Sequence, residues 1–161
     1  MELTKDYLTS LFKYNDGEIY WKISLSPRIK IGDKAGHLRN DGYRGTTINN
    51  KLYGNHRLIF MMFNGYFPIE VDHIDGNPIN NKIENLRPAT VNQNRQNSSI
   101  RKDNKSGCKG VYWKKDSKKW SVQIQANGKR INIGVFDNLE LADLVAQEAR
   151  DKFHGKYARN S

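Results

Sequence analysis

Hydrophobic and polar positions alternate along this chain in short bursts rather than long runs. Leu3 to Phe12 spaces its apolar residues as a short helix does. The pieces "GEIYWKI", "GDKAGHL", "NDGYRGTTIN" and "NKLYGN" then read as strands broken by turns, with Gly36 and Asp41-Gly42 at turn positions. The run Leu58, Ile59, Phe60, Met61, Met62, Phe63 predicts a short buried helix ending near Gly65. Further on, "EVDHID" is strand-like, "GNPINNKIENLRP" is turn-rich, and "TVNQNRQN" opens a helix with Thr90 and Gln93 at capping-box spacing. Near the C-terminus "KGVYWKK", "KWSVQIQAN" and "KRINIGVF" alternate like three strands, with Asn127-Gly128 as a hairpin turn. Leu141, Ala142, Leu144, Val145, Ala149 and Phe153 follow at helical spacing, and Gly155 stops that helix.

The predicted class is α+β. A small N-terminal antiparallel sheet (1–55) leads into a strand–loop–helix segment (56–97). A polar, non-periodic linker (98–106) joins this to a three-stranded antiparallel sheet packed on one helix (107–161). With 161 residues of which 37% are hydrophobic, any core is modest. No run reaches the ~18 apolar residues of a membrane span, and "MELTKDYLTSLFKYND" lacks the layout of a secretion signal. Cys108 is the sole cysteine, which excludes an intrachain disulfide and a cysteine-rich zinc site. An intracellular setting is expected.

Charge sharpens the picture. The net charge of +10 points to a polyanionic partner. Residues 96–161 hold 14 basic and 7 acidic residues, and within 96–134 the balance is 10 to 2. The positive field is therefore concentrated just beyond the Asn-rich stretch "VDHIDGNPINNKIENLRPATVNQNRQN".

That stretch carries the chemistry. Metal-assisted phosphodiester cleavage needs oxygen ligands for a hard cation and a base for water. Asp72 offers a carboxylate, His73 a side chain titrating near neutrality, and the amides offer neutral oxygens. Neighbours on a regular strand point to opposite faces, so a shared site predicts a bend or bulge at Asp72-His73. Asn77, Asn80 and Asn81 read as turn formers.

"HRLIF", "VDHIDG", "ENLR" and "VNQNRQN" together resemble the HNH motif of phage and intron-encoded homing endonucleases. The resemblance implies a ββα-metal finger. It implies His73 as general base, Asn85 as the residue that orients it, and Asp72 and Asn94 as ligands of one divalent metal, Mg²⁺ first and Mn²⁺ second. His56 and Arg57 are implied as accessory residues, against the alternative that His56 caps or packs a helix.

"KGVYW", "KKWSVQI", "KRINIGVFD" and "LADLVAQEA" resemble the ethylene-response-factor (APETALA-type) DNA-binding domain. That family lays a three-stranded sheet in the major groove. By position, Tyr112, Lys114, Gln123, Gln125, Arg130 and Asn132 fall on the DNA-facing set. Tyr112, Gln125 and Asn132 depart from its usual residues, so the docking mode carries over and the sequence preference does not. Val111, Trp120, Ile124, Ile133 and Phe136 read as core. In the N-terminal segment, Arg28, Lys30, Lys34, Arg39 and Arg44 either contact DNA or lie on a sheet that supports the finger, and Tyr43 reads as sheet packing.

The expectation is a site-directed, metal-dependent DNA endonuclease of the homing type. It would nick one strand of double-stranded DNA per active site, as a monomer or a dimer assembled on DNA, in the cytoplasm of a bacterial host if phage-encoded. The alternatives are a DNA-binding regulator with a vestigial site, a non-specific nuclease and, more remotely, an RNA-binding protein.

Overall fold

Thr4 opens helix α1 (Lys5–Leu11) by accepting a hydrogen bond from the backbone N–H of Tyr7, and the helix buries Leu8 and Leu11. The computed structural model describes residues 3–160. The chain divides into two compact units, Met1–Ala89 and Thr90–Ser161.

In the first unit α1 runs into a hairpin of β1 (Phe12–Asn15) and β2 (Glu18–Trp21). Asp16 and Gly17 turn that hairpin with φ of 44° and 87°, the conformation a two-residue turn needs to match the strands' twist. A second antiparallel sheet holds β3 (His37–Leu38), β4 (Arg44–Ile48) and β5 (Lys51–Gly54) in that order. The apolar run forms α2 (Asn55–Asn64), closed by left-handed Gly65 at φ 78°. Leu58, Ile59 and Phe60 of α2 pack in one core with Leu8, Leu11, Phe12, Ile19 and Ile48. Asn55 is wholly buried at the start of α2. Its Oδ1 accepts from Thr46 Oγ1 at 2.7 Å and its Nδ2 donates to the Ala35 carbonyl at 3.0 Å. An amide there is tolerated because both ends are satisfied, and it fixes the helix against the second sheet. The unit ends with β6 (Glu70–His73) paired antiparallel to β7 (Leu86–Ala89).

The second unit opens with α3 (Val91–Gln96), whose Thr90–Gln93 capping box forms with both reciprocal bonds. Residues 98–106 turn, with Asn104 Oδ1 accepting from the backbone of Ser106 and Gly107, and Ser106 Oγ donating to the Val111 carbonyl. Strands β8 (Val111–Lys114), β9 (Lys119–Ala126) and β10 (Lys129–Phe136) make one sheet in the order β10-β9-β8. Helix α4 (Leu139–His154) covers one face. Its Ala142 and Ala146 are fully buried and let the helix approach Val111 and Val122 closely, with Trp120, Ile133 and Phe136 packed around them. Asn127 and Gly128 turn the β9–β10 hairpin at φ 51° and 74°, as the Asn-Gly pair predicts. Among the described residues no helix is long and apolar enough to cross a membrane.

Candidate active site

Strand β6 delivers Asp72 and His73 into the interior of the first unit, where they are 3% and 4% exposed. The expected bulge is absent from the ladder. Asp72 pairs with Arg87 and His73 with Leu86 in unbroken register. The bend comes one step later, where Gly76 N–H bonds the His73 carbonyl at 2.8 Å. The two side chains still share one electrostatic neighbourhood. The Asp72 carboxylate pushes the Tyr43 phenol upward, behind burial and Asp41, and also raises the affinity of His73 for a proton.

Asp72 is held by Arg87 directly across the ladder, an opposite-charge cross-strand pair. Arg87 Nε and Nη2 each lie 2.7 Å from Oδ2. Both contacts fall on one carboxylate oxygen. A carboxylate of this kind suits a hard divalent cation. Among the described residues no group of three His, Cys, Asp or Glu side chains gathers to hold a metal.

His73 sits in a ring cluster that the sequence did not foretell. The His56 and Tyr43 rings lie 5.2 Å and 5.8 Å from it, and 5.1 Å from each other. His73 Nε2 is 2.9 Å from Oδ1 of Asn81, an amide only 2% exposed. A carbonyl oxygen only accepts, so Nε2 carries the hydrogen and Nδ1 of the neutral ring carries the lone pair. Burial lowers the His73 pKa, and the Asn81 bond, Asp75 and Asp72 oppose it without reversing it. Burial takes His56 much further, down to about 3, helped by His73, Arg57 and Arg39. His56 is therefore neutral at pH 7. Its ring fills the space above Gly54, where an added Cβ would lie 2.6 Å from His56 Cε1.

Asn85 lies elsewhere in this network. Its Nδ2 donates to Asp75 Oδ1 at 2.9 Å and to the Asn80 carbonyl at 2.8 Å, while its Oδ1 accepts from Asp75 N–H at 3.1 Å. Asn80 and Asn77 add bonds to the same carboxylate. Burial, the largest single influence, raises the Asp75 carboxyl, but these bonds together outweigh it and hold the group below its ordinary value. Asn85 thus pins the loop that follows His73, and Asn81 is the amide that touches the ring. Arg57 clamps another loop, donating to the carbonyls of Ile69 at 3.1 Å and Pro68 at 2.9 Å. Asn94 lies in the second unit on α3, its N–H bonded to the Thr90 carbonyl at 3.0 Å.

Three residues of this constellation escape a reading of the sequence. Tyr43 reads as sheet packing, and Asn81 is indistinguishable from its turn-forming neighbours. Arg87 stands in the quoted motif, and its charge opposite Asp72 is the one signal that could have singled it out.

In the second unit the register settles which sheet residues share a face. Arg130 pairs with Gln125, Asn132 with Gln123, Tyr112 with Ser121 and Lys114 with Lys119. Directly paired residues point the same way and alternate residues along β9 do too, so Tyr112, Lys114, Gln123, Gln125, Arg130 and Asn132 lie on one side. The opposite side carries Val122, Ile124 and Ala126, all buried. Tyr112, Gln123, Gln125 and Arg130 line a groove of about 580 Å³ together with Arg101 and Asn104.

The sequence profile of the family described as HNH endonuclease matches residues 53–96, spanning α2, β6, β7 and α3. Protein 3.8 of Escherichia phage T7 is 39% identical over 95 residues, covering 59% of this chain and 75% of that protein. The chain belongs to the HNH endonuclease family. The family points to a nuclease acting on DNA, and HNH nucleases generally use a divalent metal. No solved structure matches the chain.

Proposed function

We propose that this HNH protein is a site-directed, metal-dependent DNA endonuclease of the homing type that nicks one strand per active site. The observation that carries the reading is the state of His73. The ring is buried, which lowers its affinity for a proton, and it is bonded through Nε2 to an amide oxygen, which fixes the tautomer and leaves the basic electron pair at Nδ1. A histidine so prepared takes a proton from water that attacks a phosphodiester. Asp72 and Asn94 would hold the divalent metal, Mg²⁺ or Mn²⁺, and when bound it supplies positive charge to the departing oxygen. Arg87 keeps the Asp72 carboxylate in place, and Asn85 holds the loop behind His73.

The second unit supports the homing type. One sheet face offers Gln123, Gln125 and Arg130, side chains able to read adenine and guanine edges, with Lys114 for phosphate. This face supports the proposal of an ethylene-response-factor-type DNA-binding domain at residues 107–161, joined by a basic linker at 98–106 to the nuclease motif at 56–97. Residues 1–55 serve as its supporting and DNA-contacting region. One motif per chain gives a nick by a monomer or paired nicks by two copies assembled on double-stranded DNA. The similarity to a phage T7 protein supports a phage origin and action in the cytoplasm of a bacterial host.

The test is nicking of supercoiled plasmid carrying host sequence, in Mg²⁺ and in Mn²⁺. Wild type is expected to nick at a discrete site. His73→Ala is expected to lose nicking while duplex binding in a gel shift survives. Full activity in His73→Ala removes the base assignment. Uniform cutting of random DNA indicates a non-specific nuclease. An inert wild type under every metal indicates a binding regulator.

A further inference from the structure

The second unit contains a cavity of about 150 Å³ that plays no part in the reaction above. Arg95 of α3, Lys109, Gly110, and Arg150 and His154 of α4 are among its lining residues, and no acidic side chain is. Arg150 is 1% exposed, an unusual place for a guanidinium. Its Nε donates to Asn160 Oδ1 at 2.7 Å and its Nη1 donates to the Lys109 carbonyl. Its Nη2 is buried without a partner. One helical turn later His154 donates from Nε2 to the Gln125 carbonyl at 3.0 Å, and its Nδ1 is likewise buried without a partner. The i, i+4 spacing sets both side chains on one face of α4.

A buried cationic donor and a buried acceptor left unmatched each cost free energy, so the pair calls for a ligand complementary to both. Asp143 and Asp151 lie near enough to favour the Arg150 charge, and Nη2 itself still needs an acceptor. His154 Nδ1, on a ring whose proton sits on Nε2, needs a hydrogen. Burial and the nearby Lys109 and Arg150 disfavour a second proton on that ring, despite the Gln125 bond. Lys109 spends its ammonium on the carbonyls of Gln96, Ser98 and Arg159, so it contributes charge and no donor. Gly110, at φ 79°, keeps the wall thin: a Cβ there would lie 2.6 Å from the Gln123 carbonyl oxygen and 3.7 Å from Arg150 Nη1. A carboxylate or a phosphodiester brings acceptors only. A hydrogen phosphate or phosphate monoester brings P–O⁻ and P–OH on one centre.

We infer that this cavity is a binding site for a hydrogen phosphate or phosphate monoester, held by Arg150 Nη2 and donating its P–OH to His154 Nδ1. The group comes either from a free phosphate or mononucleotide, or from the terminal phosphate of a nucleic acid strand.

The test uses the full chain in phosphate-free buffer, with titrations of inorganic phosphate, a deoxynucleoside 5′-monophosphate and sulfate followed by calorimetry. Two short duplexes, one with 5′-phosphate and one with 5′-hydroxyl ends, form the second arm. Saturable phosphate binding at least tenfold tighter than sulfate is expected, because sulfate is fully deprotonated. His154→Gln keeps a donor for Gln125 and removes the acceptor at Nδ1, and is expected to lose at least tenfold in phosphate affinity. Arg150→Met is expected to abolish binding, and if that variant fails to fold, His154→Gln and the sulfate comparison decide. A preference for 5′-phosphorylated duplex that His154→Gln abolishes assigns the site to a strand end, and an effect confined to free phosphate and the mononucleotide assigns it to a small ligand. Equal affinity for phosphate and sulfate, no change in His154→Gln, or no binding in either arm overturns the inference.

Discussion

Arg87 meets Asp72 straight across the β6–β7 ladder, with Nε and Nη2 both 2.7 Å from a single carboxylate oxygen. The side chains are 11% and 4% exposed, so this is a buried pair and not a surface one. Arg87→Ala leaves a buried carboxylate without its cation, and the expected loss is about 3–5 kcal/mol of stability. Arg87→Lys retains the charge and loses the forked geometry, so it falls between. Urea unfolding of the three proteins at pH 7 measures this. A loss below about 1 kcal/mol, the range of exposed ion pairs, would show that solvent already screens Asp72.

Asn81 accepts the hydrogen of His73 Nε2, which makes it the residue that sets the tautomer. Asn81→Leu removes the acceptor at similar volume and is expected to lower the nicking rate about 10–100-fold, with duplex affinity unchanged. Asn81→Asp puts a carboxylate against the ring and raises its proton affinity, so the acid limb of the pH–rate profile moves to higher pH. The wild-type limb itself lies below that of an ordinary histidine, because burial lowers the His73 pKa. If Asn81→Leu cuts at the wild-type rate, the amide is only a turn former.

Local chemistry explains what the sequence disclosed. The apolar run with Gly65 behind it gave α2, the Asn127-Gly128 pair gave the hairpin, and period-two alternation gave the three strands β8, β9 and β10. Each signal sits within a few residues of its consequence. The contacts around His73 have no such signal. Asn77, Asn80, Asn81 and Asn85 have the same turn propensity, and only the closed loop decides that Asn81 reaches the ring while Asn85 turns to Asp75. Tyr43, just before β4, and His56, on α2, meet His73 only in the packed unit. The expected bend or bulge at Asp72-His73 followed from requiring adjacent residues to serve one shared site. The structure instead keeps the ladder regular and gives each side chain its own partner across or beyond it.

His56 makes the first unit sensitive to acid. Its folded pKa of about 3 lies below the ordinary value of 6.5, so the unfolded chain binds the proton more tightly. The stability tied to this ring is complete above about pH 6.5 and is lost as pH falls toward the folded value. Between pH 6.5 and 4.5 the loss from this one residue is about 2 kcal/mol after discounting for its partial exposure. His56→Phe fills the same space beside Tyr43 and cannot titrate, so its urea midpoint should fall less over this interval. Parallel curves for wild type and His56→Phe would show that the ring is not held neutral.

The DNA-binding role proposed for the sheet face of the second unit assigns reading and gripping to different side chains. Arg130 stands opposite Gln125 and Asn132 opposite Gln123, all on the side away from α4, whereas Lys114 pairs with Lys119 at the far end of β8. A side chain that reads a base edge costs about 1–3 kcal/mol on removal, and only with the sequence that carries its base. A side chain that neutralises a phosphate weakens every sequence alike and lowers the salt slope by about one. Arg130→Ala and Gln125→Ala are therefore expected to flatten discrimination between the mapped cut site and its single-base variants. Lys114→Ala should weaken both equally and reduce the slope of log affinity against log salt. The measurement is gel-shift affinity for matched and mismatched duplexes across a salt series. If all three substitutions change affinity uniformly, the face grips DNA without reading it, and any choice of cutting site must come from the first unit.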